Sequence, residues 1–352
     1  MVEGGLFITL YDKETLKLYL DRGIYGQLMS TEEGKPSAYS VYYKTMADYA
    51  CCREGNHVFF FLKRGIYYGG QIKGSKEYGS FYLNGQNGPM GRKADAPLVW
   101  DESYRNRYES VNRDGVFNVD GNERCQHFLI QFEDKLDLAG KGITSDQLYF
   151  KLGEYPYPLP SNSISGMGFC TLTPGETNIL LNLFKTESTK YIEPVSDEDV
   201  ELTGEPVLFK PDLGINSPSE ASTESHLEAS LAANPILLPE ELKPKDSALC
   251  RQIPISPFKP AQMDQADLCY YSENSKGEGT IPDTVIELKN KKAGKGEIMQ
   301  VIRYLEWLEK LNRLYGVETE DVMMYLYAPN YTSTVEGYIP ERFEKRIHIL
   351  KF

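Results

Sequence analysis

No stretch of about 18 consecutive apolar residues occurs, so no helix of the chain is expected to cross a membrane. Cysteine is sparse: six in 352 residues, with Cys51 and Cys52 adjacent and no CxxC spacing. That argues against a zinc ribbon and against a disulfide framework. The four histidines, His57, His127, His226 and His348, have no metal-ligand spacing. Residues 140–145 read GKGITS but lack the glycine that a phosphate-binding Walker loop needs. The opening Met1-Val-Glu-Gly-Gly has neither the basic nor the apolar region of a secretory leader. A cytoplasmic protein is the expectation. Basic charge is in deficit, with 38 Lys and Arg against 51 Asp and Glu, a net −13. A general nucleic-acid coat is thereby disfavoured, whereas an enzyme with a local basic track is not.

The composition is otherwise that of a folded chain, 41% hydrophobic and 25% charged. Its length suggests two domains. Tryptophan is scarce at two, but tyrosine reaches 25. Most of these serve as core and strand faces, and some are available as stacking surfaces for bases.

Residues 1–185 read as alternating strands with a few helices. A strand at 7–10 precedes a helix at 13–21, with Leu16 and Leu20 on one face and Gly23 as its stop. Residues 57–62 and 66–72 form a hairpin turning at Gly65. A strand at 126–132, a short helix at 145–152 and a helix opened by Thr173-Pro174 complete this part. Residues 186–222 read as an acidic, Pro- and Ser-containing connector, with seven acids against one Lys190 between 187 and 205. Mimicry of DNA phosphate is a second reading of that run. The connector implies a separate core on each side of it.

The last part, 223–352, opens with a helix at 224–233, N-capped by Thr223 and stopped by Asn234-Pro235. Strands at 266–271 and 284–289, a long helix at 297–315, a strand at 322–327, a helix at 340–346 and a strand at 347–350 follow. This order implies a three-layer α/β arrangement around a mixed sheet. The long helix carries a wide apolar stripe that serves as core or as a dimer face.

The chemistry concentrates in residues 267–304. Glu287 and Lys289 are two apart on one strand and therefore share a face, while Ile286 and Leu288 fill the other. Asp267, on the preceding strand, joins them if the two strands pair. Two nearby carboxylates stay ionised together only with a cation between them, and hard oxygens favour Mg²⁺ or Mn²⁺. Such an ion would acidify a bound water, and Lys289 would orient that water or neutralise a phosphate. The plainer alternative is a solvated strand surface.

Four pieces in order resemble the PD-(D/E)xK nuclease superfamily, and most of all the C-terminal nuclease domain of the NucS (EndoMS) type. They are Glu224-x-x-Leu227-x-x-x-Leu231-x-x-Asn234-Pro235, then Asp267-Leu268, Val285-Ile-Glu287-Leu-Lys289 and Gln300-Val-Ile-Arg303-Tyr304-Leu305. The resemblance covers residues 223–352 and implies an α/β restriction-endonuclease-like domain, a mixed sheet flanked by helices. It also implies Asp267 and Glu287 as metal ligands, Lys289 as the catalytic lysine, and Glu224 and Gln300 as further site residues. Glu228 competes with Glu224, and Asp264 with Asp267. Two departures are the long insert at 273–283 and Gln265-Ala266 where the family usually has a glycine. Lys291, Lys292 and Lys295, with Arg303 on the long helix, would contact DNA phosphates.

Residues 1–185 resemble EVE, YTH and other PUA-like domains through Gly23-Ile-Tyr-Gly26, Arg53-Glu-Gly-Asn56-His-Val-Phe-Phe-Phe61 and Ile66-Tyr-Tyr-Gly-Gly-Gln-Ile72. This implies an α+β fold with a small β-barrel that holds a flipped, modified base. Trp100, Tyr104, Tyr25 and Tyr67 would form the aromatic cage, with Asn56 or Ser40 reading the base edge. Trp100 serves equally as a core anchor. Taken together, a Mg²⁺-dependent endonuclease is expected, cutting modified DNA as a restriction enzyme does. A mismatch- or structure-specific repair nuclease, a non-cleaving nucleic-acid binder and an RNA-directed protein are the alternatives. DNA is the expected partner, and related nucleases often form homodimers.

Overall fold

The computed structural model describes residues 2–11, 13–27, 29–30, 36–76, 79–83, 110–111, 117–119, 122–126, 128–152, 169–187, 190–192, 215–243, 246–255 and 264–352. Trp100 and Tyr104 fall outside these.

The first half contains β1 (Gly5–Thr9), α1 (Lys13–Arg22), β2 (Ile24–Gly26), β3 (Met29–Ser30), α2 (Pro36–Ala50), β4 (His57–Leu62), β5 (Gly65–Ile72) and β6 (Tyr82–Leu83). It continues through β7 (Ser110–Val111), β8 (Phe117–Val119), β9 (Asn122–Cys125), β10 (Phe128–Glu133), β11 (Lys141–Thr144), α3 (Ser145–Leu152), β12 (Phe169–Leu172), α4 (Pro174–Glu187) and β13 (Lys190–Tyr191). The main sheet runs β12-β1-β4-β5-β10-β2, with β11, β13 and β6 paired off that path. The hairpin of β4 and β5 closes on Lys63 and Arg64, both with positive φ, a two-residue turn whose twist matches the strands. Gly65 is the first residue of β5 and not the turn itself. Strand β5 pairs with β4 on one edge and with both β11 and β10 on the other, which curls the sheet. Among the described strands β12 and β2 do not pair with each other. The described strands thus form a half-barrel, and the PUA-like barrel that the resemblance implied is not shown by them.

The second half contains α5 (Glu224–Ala233), β14 (Ala248–Pro254), β15 (Gln265–Tyr271), α6 (Lys276–Gly279), β16 (Thr284–Leu288), α7 (Lys295–Tyr315), β17 (Met323–Ala328) and β18 (Ile347–Lys351). Its five strands lie in sequence order. The pairs β14/β15 and β15/β16 are antiparallel, and β16/β17 and β17/β18 are parallel. Leu268, Ile286, Leu288 and Tyr327 pack with Leu227 and Leu231 of α5 on one face. Cys269, Val285, Met324 and Leu326 pack with Val301, Leu305 and Leu308 of α7 on the other. The α7 stripe is therefore core, which removes the ground for reading it as a dimer face.

The core facing α5 does not stop at the connector. It continues through Met46, Ala47 and Ala50 of α2 into Leu6 and Phe60 of the half-barrel. Arg53 donates to the Ala232 carbonyl at 2.6 Å, and Thr171 Oγ1 donates to the Arg251 carbonyl at 3.2 Å. Tyr43 of α2 stacks on His226 of α5 with centroids 4.0 Å apart. The two halves thus share apolar burial, contrary to the separate cores that the connector implied.

One buried acid gives the fold a pH signature. Thr173 caps α4 and Glu176 answers it: the Thr173 N–H donates to Glu176 Oε2 at 2.8 Å, and the Glu176 N–H donates to Thr173 Oγ1 at 3.2 Å. Glu176 is 2% exposed, and burial pushes its carboxyl up to about 8 despite these bonds. The folded state therefore binds a proton that the unfolded state has released above roughly pH 4.5. Stability is expected to fall as pH rises from about 5 to 8, and Glu176→Gln is expected to flatten that part of the curve. Urea unfolding at four or five pH values measures it; parallel curves for the two proteins would contradict the assignment.

Candidate active site

The site lies where β15 and β16 part. Their last paired residues are Leu268 and Ile286; Asp267 and Glu287 stand one register step further on. There the Asp267 side chain replaces the ladder, its Oδ2 accepting the Leu288 N–H at 2.7 Å. Asp267 is 7% exposed and Glu287 2%. Lys289 follows immediately and its N–H bonds to the Tyr327 carbonyl at 3.0 Å, so the backbone remains anchored to β17.

The Lys289 ammonium donates to Glu287 Oε1 at 2.9 Å and pairs with Glu224 Oε1 at 3.3 Å. Glu224 is the first residue of α5, and Thr223 Oγ1 caps that helix by accepting the His226 N–H at 3.1 Å. The structure thus brings Asp267, Glu287, Lys289 and Glu224 together. Glu228, one turn further along α5, competed with Glu224 in the sequence. It is engaged elsewhere: Arg251 Nε and Nη2 donate to its two oxygens at 3.0 and 2.9 Å. Arg251 also pairs through Nη1 with Asp48 of α2. Asp264, the competitor of Asp267, accepts from Arg303 on the surface at 3.2 Å.

Electrostatics set the character of the site. Burial, then Glu287 and Glu228, push the Asp267 carboxyl well above its usual range. Burial pushes Glu287 up to about 7, against the pull of Lys289. For Lys289 burial alone would lower the ammonium, but Glu287, Asp267 and Glu224 more than offset it and the net shift is upward. Glu287 Oε2 is buried and has no hydrogen-bond partner. A buried carboxylate oxygen without a donor is costly, and a cation there would reverse the burial effect on both acids.

Gln300 reaches this region through a neighbour. Its Nε2 donates to the Tyr304 hydroxyl at 2.5 Å, and that hydroxyl donates to the Gln265 carbonyl at 3.0 Å. Burial raises the Tyr304 hydroxyl, and Glu287 and Asp267 add to the shift. Tyr304 was visible in the helix motif, though nothing in the sequence marked it as a site neighbour. Gln252 and Arg251, on a strand that the sequence did not reveal, carried no signal at all.

Lys291 and Lys292 are exposed on the loop that leaves the site, and Ala293 pins that loop by its bridge to Tyr331. Lys295 is exposed with its ammonium 5.2 Å from the Tyr338 ring centroid. Arg303 is exposed and bound to Asp264, an ion pair weak enough to exchange for a phosphate.

Tyr25 requires a correction. It is 4% exposed, with its ring among Tyr19, Tyr49 and Phe169 at centroid distances of 5.2, 6.3 and 6.0 Å. No face of the ring is open to a base, and Tyr25 is a core residue. Tyr67 is 9% exposed and its ring lies against Gly65 and Gly142, where a Cβ would clash. Asn56 closes a turn by accepting the Arg53 N–H at 2.7 Å. Ser40 falls on α2, where the described residues do not include its side chain.

No protein-family model and no curated protein matches the chain. Three solved structures are similar in part. A repair endonuclease from Pyrococcus abyssi is 28% identical over 28% of this chain and 37% of that one, with a TM-score of 0.19. EndoMS in its apo form is 13% identical over 67% of this chain and 58% of that one, with a TM-score of 0.23. EndoMS in a complex with double-stranded DNA is 13% identical over 94% and 97% of the two chains, with a TM-score of 0.24. The chain spans less than two thirds of the first two. These scores are too low to establish a shared fold.

Arg251 holds the buried Glu228 carboxylate and the half-buried Asp48 carboxylate, one from each half. Arg251→Met is expected to lower stability by about 3–5 kcal/mol, the usual cost of leaving buried charge uncompensated. Urea unfolding measures it, and a loss below about 1 kcal/mol would contradict the buried network.

Proposed function

We propose that the chain is a divalent-metal-dependent DNA endonuclease. The observation that carries this reading is the Glu287 carboxylate: Oε1 faces Lys289, while Oε2 is buried without a donor and Asp267 stands across the opened ladder. A non-cleaving binder has no use for that arrangement.

Asp267 and Glu287 would hold Mg²⁺ or Mn²⁺. Among the described residues no three His, Cys, Asp or Glu side chains form a ready ligand set. Two carboxylates fit Mg²⁺ nonetheless, since it commonly keeps waters and takes further ligands from substrate phosphate. When bound, the ion would acidify a water and polarise a phosphoryl oxygen. Lys289 has three N–H bonds; with Glu287 and Glu224 as partners, a third remains for a phosphate oxygen or the attacking water. Glu224 keeps the ammonium in place, and Lys291 and Lys292 would hold the strand beside the cut.

Restriction-type cleavage of modified DNA is the finer reading. With Tyr25 in the core, its base cage rests on Trp100 and Tyr104, outside the described residues, and on Tyr67. Mismatch-directed repair cleavage is the second reading. The full chain incubated with Mg²⁺ or Mn²⁺ and plain, modified and mismatched DNA duplexes, and with RNA, separates them. Selective cutting of modified duplexes supports restriction, and selective cutting of mismatches supports repair. No cutting of any DNA would overturn the endonuclease.

A further inference from the structure

Gln252 is an anomaly in β14. Its φ is 51°, a left-handed conformation that non-glycine residues adopt at a cost. The ladder pairs Arg251 with Leu268 and Ile253 with Ala266, and passes over Gln252 between them. An extended residue would have continued the ladder without strain. What the distortion accompanies is a side-chain contact: Gln252 Nε2 donates to Asp267 Oδ1 at 3.1 Å and to Glu228 Oε1 at 3.0 Å.

Both acceptors are otherwise fixed. Glu228 is gripped by Arg251, which is tied in turn to Asp48 of α2. Asp267 has its other oxygen on the Leu288 N–H. The Gln252 amide therefore joins a rigid buried ion pair to the carboxylate at the parting of the strands.

We propose that Gln252 is a positioning residue for Asp267. Its amide sets the Asp267 rotamer, and the reference point for that setting is the Glu228–Arg251–Asp48 group, in which Asp48 belongs to the first half of the chain. The site geometry is then coupled to the contact between the two halves. Gln252 itself touches no reacting atom. The proposal rests on the reading of Asp267 as a metal ligand, and partners that orient a ligand typically change metal affinity 10–100-fold when lost.

The test uses the full chain and the variant Gln252→Gly, which removes the amide and accepts a φ of 51° without strain. Two readouts are taken: hydrogen exchange of the Leu288 amide, which reports the Asp267 Oδ2 bond, and Mn²⁺ affinity from the free-ion electron paramagnetic resonance signal. The expected result is a folded variant, exchange at Leu288 at least about tenfold faster, and Mn²⁺ binding about 10–100-fold weaker. A role confined to the strand would move neither readout. Gln252→Asn, with its amide one methylene short, is a second variant expected to shift both in the same direction, should the glycine variant fold poorly. Wild-type exchange at Leu288 and wild-type Mn²⁺ affinity in a folded variant would overturn the proposal. If the wild-type chain neither cleaves DNA nor binds Mn²⁺, the nuclease reading fails, and exchange at Leu288 alone then decides whether Gln252 positions Asp267.

Discussion

Glu287→Ala is expected to abolish DNA cleavage and to leave the chain folded. The loss should be about a thousandfold or more in single-turnover rate, because several kcal/mol of stabilisation go with the ion and each 1.4 kcal/mol is tenfold. The fold should tolerate the change for a definite reason. Burial raises the Glu287 carboxyl to about 7, so near and above that pH its ionised form opposes folding. Removing it also removes a buried oxygen with no donor. Thermal unfolding at pH 8 should therefore show equal or greater stability. Asp267→Ala is expected to match it in cleavage but not in stability. That change leaves the Leu288 N–H and the Gln252 amide without their acceptor, at a cost of about 1–3 kcal/mol. Near wild-type cleavage by either variant, with Mg²⁺ supplied, would remove these residues from the chemistry.

Lys289→Ala separates rate from binding. Its ammonium lies between Glu287 and Glu224 and is only 19% exposed, so it acts at short range and contributes little to long-range attraction. Loss of one such electrostatic contact in a transition state typically lowers the rate about 100–1,000-fold. DNA affinity, measured in Ca²⁺, should change by no more than a few-fold. A variant that binds weakly but cleaves at the normal rate when saturated would make Lys289 a phosphate contact only. Lys291→Ala and Lys292→Ala offer the contrast: these exposed residues should weaken binding and flatten its salt dependence while sparing the rate.

The sequence was most legible where periodicity and chemistry coincide. Glu287 and Lys289 sit two apart on an otherwise apolar strand, and alternation alone put them on one face. Thr223 and Asn234-Pro235 bracket α5 as capping rules require, which located Glu224. Helix α2 was not legible, because its Tyr- and Ser-rich stretch from Pro36 has no clear period of 3.6 and its helicity comes from packing on α5 and the half-barrel. Strand β14 was hidden for a related reason: Arg251 and Gln252 break its apolar run, and Arg251 is buried only because opposite charges meet it. Independence of the two halves was inferred from an acidic connector. Composition describes the connector and says nothing of the surfaces that α2 and α5 bury against each other. Tyr25 was nominated by the PUA-like resemblance, whose motif Gly23-Ile-Tyr-Gly26 does not tell a lining ring from a core ring, and its ring lies in the core.

The measurement that bears most directly on the site is Mn²⁺ binding by the full chain, compared with Glu287→Gln. Gln keeps the size of the side chain and the hydrogen-bond acceptor for Lys289 but removes the anionic oxygen. Titration calorimetry at pH 8 should show saturable Mn²⁺ binding by the wild-type chain, and binding at least about tenfold weaker in the variant. Equal affinity in the two proteins, or no binding by the wild-type chain in the presence of DNA, would contradict a metal site built on Asp267 and Glu287.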